Sequence, residues 1–359
     1  MNHIADIRRM LIEKDLDALL ITDEKNQRYA SGFAFTDGLV LVTRERAYLL
    51  TDSRYIEAAR KAVTDEITVQ QFDGKTPLLG LLKSALAENG VQRLGGEEQK
   101  LSHGAYLAFE KRLGMQLLPA QEILTKLRAA KDEEEIACLV RAQRISEAAL
   151  AETLPVIRAG MTEKEVMAEL VYRMLRNGSE GNSFDPIVVT GKNTSLPHGV
   201  PGDTVIRNGD FVTMDFGSLS GGYCSDMTRT VAVGYATEEM CNVYGIVLEA
   251  QLAGIRAARA GVPGKLIDGA ARKVIEDAGY GPYFGHGFGH SVGLDIHEGP
   301  NAGPRSEEPM NENSVCSAEP GIYLPGKFGV RIEDVMILRA DGAEVITKAP
   351  KAELIVLNN

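Results

Sequence analysis

Two aspartates, Asp215 and Asp226, sit eleven residues apart in FVTMDFGSLSGGYCSDMTRT. Alternation along 211–216 puts Phe211, Thr213 and Asp215 on one face of a strand, and a second strand over 223–231 puts Asp226 with Thr228 and Thr230. A two-residue tip at Ser220-Gly221 would set Asp215 opposite Asp226. Facing carboxylates repel and raise one another's pKa unless a cation lies between them. Glu319 in SAEPGIY and Glu333 in RIEDV repeat the pattern, because Pro325-Gly326-Lys327 can close a hairpin that brings both acids to one face. With His290 they make one imidazole and four carboxylates, an oxygen-rich set suited to a pair of divalent first-row metals. The chemistry this points to is metal-dependent hydrolysis.

Four of the six histidines, His198, His286, His290 and His297, fall among these segments, whereas His3 and His103 lie far from them. His286 and His290 are four apart, as in a helical zinc pair, but Gly287 and Gly289 disfavour a helix and there is no HExxH. His286 therefore reads either as a supporting residue or as packed structure. Arg331 shares a strand face with Glu333, as a charge-balancing partner of the acids or as a catalytic group.

The elements that must hold these residues divide the 359-residue chain in two, since one hydrophobic core rarely grows to that size. Residues 1–125 read as an α/β unit. It starts with an amphipathic helix through Ile7, Met10, Leu11 and Leu16, then a strand over 18–22, a hairpin of 39–43 and 47–51 about Arg44-Glu45-Arg46, and a helix over 77–89 with Pro77 in its first turn. The run Lys131-Asp-Glu-Glu-Glu135 opens a helix carrying Ile136, Leu139, Val140 and Ile145, with its acids placed against the helix dipole. Thr162 with Glu165 forms a capping box for a helix ending near Gly178, and helices around 238–260 and 265–278 separate the acid-bearing segments.

Composition narrows the partners. At 44% hydrophobic and 25% charged residues the chain is an ordinary globular protein. A formal net charge of −11 disfavours nucleic acid or an anionic membrane. No run of 18 apolar residues offers a membrane span, and the charged start MNHIADIRRMLIEKDLDALL lacks a signal-peptide core. The four cysteines form no CxxC pair, which fits reduced thiols and a cytoplasmic location.

PHGVPGD around His198, MDFGSLSGGYCSDMTRT, GHGFGHSVGLDIHEGP over 285–300, AEPGIYLPG and GVRIEDV together resemble the metallopeptidases of the pita-bread fold, in the Xaa-Pro aminopeptidase and Xaa-Pro dipeptidase (prolidase) branch. The resemblance covers nearly the whole chain. It implies a creatinase-like α/β N-terminal domain over 1–125 and an α+β pita-bread catalytic domain over 126–359. It also implies that Asp215 chelates one metal, that Asp226 and Glu333 bridge two, and that His290 and Glu319 complete the second. Mn2+ is the metal the family suggests, with Co2+, Zn2+ or Fe2+ also fitting such ligands. Glu319 would shuttle a proton, His198 and His297 would orient substrate, and His286 and Arg331 would support the site. The reaction implied is hydrolysis of the bond between an N-terminal residue and proline in proline-containing peptides, by a homodimer. Such a bond has no N–H for a general protease to recognise.

Some dipeptidases of the branch carry an arginine shortly after the His-Glu pair to hold a dipeptide's carboxylate. Here His297-Glu298-Gly299-Pro300 is followed by Asn301, with Arg305 further on, and that departure leans towards an aminopeptidase. Methionine aminopeptidases share the ligand set but not usually an extra N-terminal domain. A metal-independent creatinase or a non-enzymatic binding protein on this fold would not be expected to keep all five ligands. Asp-Phe-Gly is also a kinase signature, yet the glycine-rich and His-Arg-Asp loops of a kinase are missing.

Overall fold

The computed structural model describes residues 2–358, which form two compact units, one up to Arg128 and one from Ala129 onward. In the first unit β1 (Ala18–Ile21), β2 (Gly38–Thr43), β3 (Ala47–Thr51), β4 (Ile67–Gln71), β5 (Leu94–Gly96) and β6 (Leu117–Pro119) build a mixed sheet in the order β4-β3-β2-β1-β5-β6. The Arg44–Arg46 hairpin forms with Val42 paired to Ala47. β1 and β3 are buried on both faces, which is why they read as continuous apolar runs rather than alternating ones. Helix Ile4–Glu13 buries Ile4, Ile7, Met10 and Leu11, but Leu16 lies beyond its end. Pro77 is the N-cap of helix Leu78–Glu88 rather than a residue of its first turn.

The second unit repeats one plan twice: a pair of helices backs a sheet, and two acids lie on its strands or at breaks between them. Helix Glu133–Thr153 starts at Asp132 and helix Glu163–Arg176 at Thr162, each with a reciprocal capping box to the glutamate three residues on. Their apolar faces, through Ala149, Leu150, Val166, Leu170 and Met174, pack on Val188, Val212, Met214 and Val231. The sheet beneath them contains β7 (Ile187–Thr190) and β8 (Phe211–Phe216). After the short β9 (Leu219–Ser220) and β10 (Tyr223–Cys224), β11 (Met227–Val233) returns along β8.

Helices Glu238–Ala257 and Gly264–Asp277 back the second sheet through Val243, Val247, Ile267 and Ile275. Burying each such side chain contributes about 1.5–3 kcal/mol, so the helices hold these strands firmly. The strands of this second sheet, in the order β13-β12-β14-β17-β18, are β12 (Gly289–Ser291), β13 (Glu298–Ala302), β14 (Val315–Ala318), β17 (Asp334–Leu338) and β18 (Ala343–Val345), while β15 (Gly321–Leu324) and β16 (Phe328–Arg331) form a two-stranded hairpin between β14 and β17 in the chain. β19 (Val356–Leu357) returns to the first sheet beside β11.

Register decides where the acids point. Ser220 pairs with Tyr223, so the hairpin tip is Gly221-Gly222, with φ of 59° and 77°, and not the Ser220-Gly221 tip expected from sequence. Consecutive positive φ angles suit a tight hairpin turn, and two glycines adopt them without strain. Asp215 consequently faces Thr228, and Asp226 lies diagonally across on the same face. In the second hairpin the expected turn forms over Pro325–Lys327, with Leu324 paired to Phe328. Gly321 pairs with Arg331 and Ala318 with Asp334, one register that carries Glu319 opposite Glu333. Between those pairs, at Glu319-Pro320 and Ile332-Glu333, the ladder is interrupted.

Candidate metal centre

Asp215, Asp226, His290, Glu319, Glu333, His198, His286, His297 and Arg331 all line one cavity of about 780 Å3. Asp215 comes from β8, Asp226 from the break at residues 225–226 that divides the strand expected over 223–231 into β10 and β11, His290 from β12, and Glu319 and Glu333 from the interrupted ladder. One donor atom each of Asp226, His290 and Glu333 lies within 4.8 Å of the other two. Nε2 of His290 is 3.5 Å from Oδ2 of Asp226 and 3.3 Å from Oε1 of Glu319. Its Nδ1 faces the carbonyl of Ser291 at 3.2 Å, which favours the proton on Nδ1 and a lone pair on Nε2.

That arrangement lacks protons where it needs them. A lone pair at Nε2 meets carboxylate oxygens, and Oδ1 of Asp215 and Oε1 of Glu333 are buried without any hydrogen-bond partner. Burial, and then the neighbouring acids, push Asp226 and Glu333 well above the ordinary carboxylate range. Burial raises Glu319 as well, against the opposing pull of His286 and Arg331. Inward-facing oxygens, one imidazole lone pair and no thiolate fit a pair of hard divalent cations.

Around the acids stands a layer of donors. Thr228 Oγ1 donates to Oε2 of Glu333 at 2.6 Å and accepts from Nε of Arg331 at 3.0 Å. Arg331 Nη2 reaches Oδ2 of Asp215 at 2.6 Å, and its Nη1 donates to the hydroxyl of Tyr323 at 3.0 Å. The Tyr323 hydroxyl lies 2.9 Å from Nε2 of His286, whose Nδ1 is 2.9 Å from the carbonyl of Gly287. Arginine can only donate, so the hydroxyl accepts from it and donates onward to a neutral His286. Burial lowers the His286 pKa and raises that of Tyr323 to about 12, which keeps both uncharged.

His297 stacks edge-on against His290, ring centroids 4.3 Å apart, and burial also lowers its pKa. His198 is exposed in the loop after β7. Arg305, exposed, lines the cavity too. Tyr323 and the ligand-facing hydroxyl of Thr228 carry no sequence signal beyond their place two to four residues from an acid, and sequence reading missed their roles.

The same architecture appears in known proteins. The model of "Metallopeptidase family M24" matches residues 137–340, and that of the "Creatinase/Prolidase N-terminal domain" matches residues 3–130. The chain belongs to metallopeptidase family M24. It therefore has the pita-bread catalytic fold behind a creatinase-like N-terminal domain, and it is an enzyme of the peptidase class. The structure of an Xaa-Pro dipeptidase from Bacillus anthracis superposes with a TM-score of 0.94 at 42% identity, covering 99% of both chains. That of an X-Pro aminopeptidase from Thermotoga maritima gives 0.91 at 37% identity, over 99% of this chain and 100% of the other. An Xaa-Pro dipeptidase of Pyrococcus horikoshii is 34% identical over 97% of each sequence. In this M24 chain no disulfide joins the four cysteines. No helix among the described residues is long and apolar enough to cross a membrane.

Proposed function

We propose that this M24 enzyme hydrolyses the peptide bond between an N-terminal residue and proline, in Xaa-Pro dipeptides or longer Xaa-Pro peptides. The observation that carries the reading is the convergence of four carboxylates, those of Asp226 and Glu333 buried, and one imidazole lone pair in a cavity that also holds three further histidines. Similarity to Xaa-Pro dipeptidases and an X-Pro aminopeptidase over nearly the full chain supports the substrate class.

Asp215, Asp226, His290, Glu319 and Glu333 would hold two divalent cations. Such ions, when bound, supply the Lewis acidity that makes water nucleophilic near neutral pH and offset charge on the attacked carbonyl oxygen. Glu319, with its raised pKa, takes the proton from the attacking water and returns one to the proline nitrogen as the C–N bond breaks and the C–O bond forms. His297 and His198 donate hydrogen bonds to the carbonyl and the proline side of the substrate, and a depressed pKa keeps His297 neutral. Arg331, tied to Asp215 and Tyr323, keeps that acid and His286 in place.

The finer assignments are part of the same reading. Mn2+ follows from the resemblance and from a ligand set without thiolate. A homodimer follows from the resemblance alone. A cytoplasmic location is supported by four cysteines without a disulfide. The division after residue 125 separates a domain without catalytic groups from the one that carries them all.

Purified protein supplied with Mn2+ is expected to cleave Xaa-Pro, to carry about two metals per chain, and to lose both properties on Asp226→Ala or Glu333→Ala. Full activity in either variant refutes the reading. Turnover of Xaa-Pro compared with Xaa-Pro-Yaa, in the protein and in Arg305→Ala, separates dipeptidase from aminopeptidase.

A further inference from the structure

Helix Glu238–Ala257 carries one fully buried amide, Gln251. Its Nε2 donates to two carbonyls at once, that of Ala318 at 3.0 Å and that of Ile332 at 3.3 Å. These residues directly precede Glu319 and Glu333. The nitrogen, and not the oxygen, faces the carbonyls because Lys351 donates from Nζ to Oε1 on the other side of the amide.

The carbonyl of Ile332 needs that donor because the ladder fails there, and the same amide ties it to the carbonyl of Ala318 on the opposite strand. The register places Pro320 opposite Ile332, and proline has no N–H to give. The amide of Glu319 turns away to the carbonyl of Phe288 at 2.8 Å, and that of Glu333 to the carbonyl of Thr228 at 3.1 Å. Each acid's own amide is thus fastened to a different neighbouring segment, and the ladder that brackets the two acids at Ala318–Asp334 and Gly321–Arg331 makes no bond across Glu319 and Glu333 themselves. The amide of Gln251 spans that gap.

We propose that Gln251 is a positioning residue that fixes the spacing of Glu319 and Glu333 and through it the affinity of the centre for divalent cations. This rests on reading the two glutamates as cation ligands. The bland alternative is that Gln251 merely satisfies two buried carbonyls, which affects stability alone. Groups outside the direct ligands that orient them typically change metal affinity by about 10–100-fold when lost.

The test is calorimetric titration of the metal-stripped full-length chain with MnCl2, comparing wild type, Gln251→Met and Tyr244→Phe. Tyr244 lies seven residues earlier on the same helix, and its hydroxyl donates to the carbonyl of Lys351 at 2.9 Å, so its loss loosens the same layer without touching the two carbonyls. Gln251→Met is expected to raise the Mn2+ dissociation constant by about 10–100-fold, whereas Tyr244→Phe lowers the melting temperature and leaves that constant alone. Turnover of Gln251→Met at limiting Mn2+ should fall and recover at saturating Mn2+, with KM for the peptide unchanged. Gln251→Asn keeps an amide in the layer but is one methylene too short to span both carbonyls, and it reads the same constant should the Met variant not fold. A folded Gln251 variant that binds Mn2+ as wild type does, or an equal loss in Tyr244→Phe, overturns the proposal. Wild-type protein that binds no Mn2+ instead refutes the cation reading itself, a different and separable result.

Discussion

The guanidinium of Arg331 lies 2.6 Å from Oδ2 of Asp215, with the two side chains 4% and 14% exposed. One of the four acids therefore has its counter-charge built into the protein, while Asp226 and Glu333 are left with their pKa values forced upward. Removing one partner of a buried ion pair typically costs about 3–5 kcal/mol, because the other charge stays behind unpaired. Arg331→Met is expected to destabilise the metal-free chain by that order. Mn2+ should restore more stability to the variant than it adds to the wild type, since the bound charge replaces the missing one. Thermal melts of both proteins with and without Mn2+ decide the matter, and equal shifts in the two would show that the pair does not balance the centre.

Stability of the metal-free chain should fall as pH rises. Asp226, Glu319 and Glu333 all have folded-state pKa values above the ordinary carboxylate value. Between the two values the folded chain binds more protons than the unfolded one. The contribution of these groups is therefore fully present below the unfolded value and is lost as pH climbs through the raised ones. Divalent cations reverse the trend, because they bind the deprotonated carboxylates and displace those protons. The gain in melting temperature from a fixed Mn2+ concentration should thus grow as pH rises from the ordinary carboxylate value towards neutrality, because the raised carboxylates hold their protons above that value. A gain that is flat or shrinks over this range contradicts protons and cations competing for one set of oxygens.

The acids were legible in the sequence because strand alternation is strict: with a two-residue tip at either position Asp215 and Asp226 share a face, since moving that tip by one residue shifts the register by two. The tip was misplaced by one residue because Gly221-Gly222 accepts two positive φ angles and Ser220-Gly221 does not, a preference that overrides position. The second hairpin came out as expected, since proline and glycine in Pro325–Lys327 leave little choice of turn. What pattern could not reveal were the groups acting across long sequence distances. Gln251 lies over 60 residues before Glu319, Tyr323 sits on an apolar strand that any core aromatic would suit, and Thr228 looks like ordinary β-strand composition. Their roles depend on which atom meets which, and periodicity carries no such information.

Glu163 gives a final test, because it fastens the loop that carries His198 from both ends. Its Oε1 accepts from the amide of Thr190 at 2.8 Å and from Nδ2 of Asn193 at 2.9 Å, and its Oε2 from the amide of Gly202 at 2.8 Å. The carboxylate is 1% exposed, so no solvent substitutes for it when it is removed. Glu163→Ala leaves buried N–H groups unsatisfied, each costing about 1–3 kcal/mol, and releases His198 from its place in the cavity. A displacement of about 1 Å in a substrate-positioning group can cost up to about 100-fold in rate. The variant should therefore bind Mn2+ normally while kcat falls by at least about tenfold, and Glu163→Gln, which keeps an acceptor on only one side, should fall between. A lowered melting temperature with kcat intact in Glu163→Ala would mean that His198 takes no part in orienting the substrate, since a bystander histidine can move without consequence for the reaction.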